Sequence, residues 1–71
     1  MSKEEIIKTI KESRTCYLIH VEHARKRLQD HIENMTAQQI AQETIYIQDM
    51  ESRAYALMLL LEEIEEQWRW P

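Results

Sequence analysis

Asn34-Met35-Thr36-Ala37-Gln38-Gln39-Ile40 is the stretch whose reading decides the fold. Thr36 and Gln39 have the spacing of a capping box, in which a hydroxyl accepts from an amide in the first helical turn and the side chain three residues on returns a bond. Met35 before the cap and Ile40 at the fourth helical position are spaced as a hydrophobic staple. A helix therefore starts at about 37, and Asn34-Met35-Thr36 reads as a turn over about 34–36. Asn34 is the residue expected to take a left-handed conformation, which Asn visits more readily than most residues. A connection this short makes the flanking helices antiparallel neighbours.

Upstream, Ser2 and Glu5 repeat the capping-box spacing and open a helix running over about 3–33. Apolar residues recur in it at heptad spacing. Ile7, Val21, Leu28 and Met35 form one series, broken by Arg14, and Ile10, Tyr17, Ala24 and His31 form another. Downstream, a helix over about 37–68 carries Ile40, Ile47, Ala54, Leu61 and Trp68 every seven residues, interleaved with Glu43, Met50, Leu57 and Ile64. Each pattern is a helix with one apolar seam. Folding about the turn pairs residues whose numbers sum to roughly 71. Ile7 then meets Ile64, Ile10 meets Leu61, Tyr17 meets Ala54, Val21 meets Met50 and Ala24 meets Ile47. A large side chain faces a small one at 17/54 and at 24/47, as close packing requires. The expected fold is all-α, a single coiled-coil-like antiparallel two-helix hairpin over 1–71.

The same register sets His31 near Ile40 and Glu43, which predicts a buried hydrogen-bonded His31–Glu43 pair. It also sets Lys3, Lys8 and Lys11 alongside Glu62, Glu63, Glu65 and Glu66. Exposed pairs of that kind contribute ~0.2–1 kcal/mol each and serve mainly to fix orientation.

Composition narrows the function. Gly is absent and Pro71 is the one proline, so the turn chemistry that sheets need is missing. A chain of 71 residues buries a marginal core, and Cys16 has no second cysteine with which to bridge. Completion by self-association or by a partner is the expectation. The net charge of -4 argues against nucleic acid or an acidic membrane as the main ligand. Residues 1–33 hold seven Lys/Arg and six Asp/Glu, whereas 34–71 hold two and seven, so the halves complement each other weakly. The charged start Met1-Ser2-Lys3-Glu4-Glu5 does not read as a signal peptide, and the apolar run 54–61 is too short to span a bilayer. The expectation is a cytoplasmic protein with a free thiol and no membrane insertion.

That run, Ala54-Tyr55-Ala56-Leu57-Met58-Leu59-Leu60-Leu61, leaves no face of its helix polar. A helix apolar all round must be covered all round, and one antiparallel neighbour covers a single side. With the seam facing the first helix, Ala41, Ile45, Ser52, Tyr55 and Leu59 form a second stripe on the back, flanked by Tyr46, Met58 and Leu60. Ile45, Tyr55, Met58 and Leu59 are the residues expected to bind a partner. On the first helix the surplus is smaller: Ile6, Cys16, Leu18, Ile19 and Ile32. An exposed set this large makes a sticky monomer.

Site chemistry is sparse. His20 and His23 share a helix face, but a structural zinc needs four ligands and no further Cys or His cluster supplies them. Arg25-Lys26-Arg27 spreads round the helix and reads as a solvated face. The RNA-binding alternative is a self-associating four-helix-bundle regulator resembling the hairpin dimer Rop. No nucleophile and base stand at useful spacing, no Gly-rich phosphate loop is present, and Glu62-Glu63-Ile64-Glu65-Glu66 is a solvated carboxylate run. No enzyme activity, catalytic residue, cofactor or metal is expected. Cys16 reads as a small apolar surface residue, Trp68 as a continuation of the seam, and Trp70 as lying over the outer surface or against a partner.

Taken together, Ala24-Arg25-Lys26-Arg27-Leu28, the segment from Gln38 through Thr44, Ile45-Tyr46-Ile47-Gln48-Asp49-Met50-Glu51 and the apolar run 54–61 resemble the small YscE/SsaE/EscE-type chaperones of type III secretion systems, most of all the EscE/SsaE branch. The resemblance covers about residues 4–66, and the turn departs from connections of this kind in lacking Gly and Pro. It implies a co-chaperone that pairs with a tetratricopeptide-like YscG/EscG-class chaperone and, through it, keeps the needle subunit soluble and unpolymerised in the cytoplasm. Alone, such a chain is expected as a homodimer or higher oligomer.

Overall fold

The computed structural model describes residues 2–69, with side chains for residues 2–66. Its first helix, α1, spans Lys3–His31 and opens where the Ser2 hydroxyl accepts from the Glu5 amide at 3.2 Å. Glu4 and Glu5 in the first turn face the positive end of the helix macrodipole. Thr9 and Thr15 donate their hydroxyls to the carbonyls of Glu5 and Lys11, one turn back, so neither leaves an unbonded hydroxyl in mid-helix.

The turn is where the structure departs most from the sequence reading. The α-helical winding stops at His31 rather than at about 33, and Ile32–Asn34 continue as a single 3₁₀ turn. The Met35 amide donates to the Ile32 carbonyl at 3.3 Å, and Met35 itself is extended at φ -96°, ψ 145°. Among the described residues none has a positive φ, so Asn34 is not left-handed. Tightening the last turn satisfies a terminal carbonyl without a left-handed residue. Met35 and Thr36 then carry the chain across to the next helix, which is how the connection works without glycine.

The second helix, α2, spans Ala37–Arg69. Its capping box is complete: the Thr36 hydroxyl accepts from the Gln39 amide at 3.1 Å, and the Gln39 side-chain oxygen accepts from the Thr36 amide at 2.9 Å. Met35 and Ile40, on either side of the cap, are both half-buried.

The helices pack side by side into a rod with extents of 56 × 15 × 15 Å, about one helix long. The buried residues are Ile10, Val21, Ala24, Ile47, Met50 and Ala54, with Ala24 fully enclosed. Val21, Ala24, Ile47 and Met50 form one cluster, against which Tyr17 and Leu28 pack. Ile7, Tyr17, Leu28, Ile40, Leu57, Leu61 and Ile64 of the seam are half-buried. The small side chains of Ala24 and Ala54 are what allow the helix axes to approach here. Arg14, the break in the seam, is half-buried, and its Nε is buried without a hydrogen-bond partner among the described residues. Trp68 lies within α2, but its side chain, like the whole of Trp70, lies outside the described residues.

Candidate docking surface

Packing one face of α2 against α1 fixes what the rest of α2 must do. The seam uses Ile47, Met50 and Ala54, so residues at the intervening helical positions point away from α1. Ile45 is 64% exposed, Tyr55 59% and Leu59 44%, and Tyr46 and Leu60 beside them are also exposed. Met58, expected to belong to the same surface, is half-buried and stands at its edge. A shallow depression lined by Gln48, Glu51, Ser52 and Tyr55 lies on this side of the helix.

The first helix contributes as well. Leu18, Ile19 and Ile32 are exposed, as is the Cys16 thiol, whereas Ile6 is half-buried. Ile32 lines a second, mostly apolar depression with Arg25, Leu28, Gln29 and Ile47. The two depressions adjoin through one ion pair, since Arg25 lines the second, Glu51 lines the first, and Arg25 donates to Glu51 at 2.9 Å. An exposed ion pair therefore stands between the outer face of α2 and the depression that Ile32 lines.

Electrostatic bridging also differs from expectation. The helices are tied near the turn by Arg25–Glu51 and by Arg27–Glu43, the latter at 2.8 Å. Glu43 is thus held by Arg27, while His31 is exposed, so the expected buried His31–Glu43 pair is not formed. His31 lines a surface depression that Arg27 and Glu43 also line, but the longer, forked guanidinium takes the carboxylate. At the open end Lys8 pairs along its own helix with Glu12 at 3.9 Å rather than with the acidic end of α2. Glu62, Glu63, Glu65 and Glu66 are exposed. Arg25 and Arg27 stand on two sides of α1, each occupied by a carboxylate, so the basic cluster does not gather into one phosphate-sized patch.

On another flank, Arg53 lies over the Tyr17 ring, 5.8 Å from its centroid, and pairs with Asp49 at 3.3 Å. Its pKa is raised, first by hydrogen bonding with Tyr17 and then by the Asp49 carboxylate. The guanidinium is protonated throughout the neutral range in either case, so this contact changes no charge there.

His20 and His23 line separate depressions, and among the described residues no group of three or more His, Cys, Asp or Glu is placed to hold a metal. Among the same residues no helix is long and apolar enough to cross a membrane. No family model matches the chain, and neither does any curated protein or solved structure.

Proposed function

We propose that this chain is a co-chaperone of type III secretion, docking through the outer stripe of α2 onto a tetratricopeptide-like chaperone of the YscG/EscG class. Through that partner it keeps the needle subunit soluble and unpolymerised in the bacterial cytoplasm. The observation that carries the reading is the exposure of Ile45, Tyr55 and Leu59 on one side of a helix whose other side is already packed. Fully burying such side chains is worth ~1.5–3 kcal/mol each. A stack of helical repeats ends in an open apolar edge, and a thin helical rod is a fitting cap for it. The partner's class comes from the resemblance of residues 4–66 to the YscE/SsaE/EscE chaperones.

The experiment is co-expression with a YscG/EscG-class chaperone from the same source, followed by size exclusion. The wild-type pair co-elutes, and Tyr55→Asp or Leu59→Asp abolishes co-elution. Absence of any complex removes the function; a complex that survives both substitutions moves the interface elsewhere. In the Rop-like alternative Arg25, Lys26 and Arg27 are the phosphate contacts, and Arg25 and Arg27 would have to exchange their carboxylate partners for phosphate. It would require salt-sensitive RNA binding that falls when those residues are replaced.

A further inference from the structure

We propose that in the free protein the outer stripe of α2 is covered by a second copy of this chain, packed antiparallel about a two-fold axis at Ser52. The inference rests on the stripe alone and stands whether or not the partner class proposed above is right.

The hairpin by itself is short of core. Among the described residues six are buried, two of them alanine, and none of the large side chains falls below 2% exposure. Chains of this size are marginal without a further layer, and the stripe exposes Ile45, Tyr55 and Leu59 to receive one.

The spacing of the stripe says which way the second copy runs. Gln38, Ile45, Ser52, Leu59 and Glu66 recur every seven residues, so Ile45 and Leu59 stand equally far on either side of Ser52. An isologous antiparallel contact centred on Ser52 sets Ile45 of each copy against Leu59 of the other. It also sets Ser52 against Ser52, where a small, exposed side chain permits close approach.

Charge selects the same orientation. A parallel pair would bring the acidic ends of both α2 helices together, and like charges that close repel. In the antiparallel pair Glu63 and Glu66 of one copy lie beside Ala41 and Gln38 of the other. That is the start of α2, whose first turn carries no acidic residue. The positive end of a helix macrodipole favours carboxylates there.

The test uses the full chain with Cys16→Ser, so that introduced thiols are the only ones. Sedimentation equilibrium is expected to give a dimer, with helicity checked by circular dichroism. Under a mild oxidant Ser52→Cys forms a covalent dimer. Ile45→Cys alone and Leu59→Cys alone do not, because like positions lie about 21 Å apart along the helices. Mixing those two variants yields the mixed disulfide. A monomer across the concentration range overturns the proposal, as does a Leu59→Cys chain that cross-links to itself as readily as to Ile45→Cys. A dimer that gives neither the mixed nor the Ser52→Cys disulfide also overturns it, by placing the contact on another face.

Discussion

Arg27 reaches across the hairpin and donates to Glu43 at 2.8 Å, leaving His31 of its own helix in solvent. The pair is unequally exposed, with 24% of the Glu43 side chain accessible against 56% for Arg27, so the carboxylate depends on the guanidinium more than the reverse. A double-mutant cycle of Arg27→Ala and Glu43→Ala, read by urea denaturation, is expected to give a coupling of ~0.2–1 kcal/mol. His31→Ala is expected to change stability by less than ~0.5 kcal/mol, as an exposed position should. A larger cost for His31→Ala than for Arg27→Ala would restore the His31–Glu43 pairing.

Arg14 offers the opposite case, a residue whose replacement should help. Its Nε is buried with no hydrogen-bond partner among the described residues, and it interrupts an otherwise apolar series. An unsatisfied buried donor costs ~1–3 kcal/mol. Arg14→Leu is therefore expected to raise stability by about 1 kcal/mol, seen as a higher melting temperature. A lower one would mean that the guanidinium has a role in a complex or a contact outside the described residues.

Ala24 is wholly enclosed between the helices, facing the cluster that contains Ile47. Ala24→Leu should destabilise by ~1–3 kcal/mol through overpacking, since the helices would have to part. Met50→Ala should cost ~2–5 kcal/mol by leaving a cavity. Denaturation at several protein concentrations is the appropriate measurement, because association of the free chain adds to apparent stability.

The complete capping box at Thr36 and Gln39 makes a local prediction about the turn. Thr36→Ala removes the hydroxyl that accepts from the Gln39 amide and should cost ~1 kcal/mol. Asn34→Gly should bring no gain, because residue 34 sits in a 3₁₀ turn without positive φ. A clear stabilisation by Asn34→Gly would indicate a left-handed residue at the turn after all.

Much of the fold was legible because heptad spacing and capping chemistry act locally and agree. Two seams derived separately matched in register, and the residues that fill them, from Ile10 to Ala54, are those the hairpin buries. The turn was less legible, since a 3₁₀ ending and a left-handed ending place the same residues in the same short stretch. The ion pairs illustrate a different gap. Positions 27 and 43, like 17 and 53, each sum to 70, so the register that paired the apolar residues also pointed to Arg27–Glu43 and Arg53–Tyr17. Apolar periodicity alone does not mark them, because long polar side chains bridge the seam from its flanks. Arg25–Glu51 lies farther off register still, and its reach follows from side-chain length rather than position. The outer stripe could be read as a surplus, but the Arg25–Glu51 pair that stands between it and the depression lined by Ile32 required knowing where the flank of one helix meets the other.

The claim on which the account rests is that the outward face of α2 is a protein-docking surface. Its most direct measurement is size exclusion of the co-expressed pair, this chain with a YscG/EscG-class chaperone, for wild type and for Leu59→Asp. A complex that forms with wild type and is lost with Leu59→Asp, while Leu59→Asp keeps its helical circular dichroism, is the predicted result. Co-elution of Leu59→Asp with the chaperone, undiminished, would contradict it.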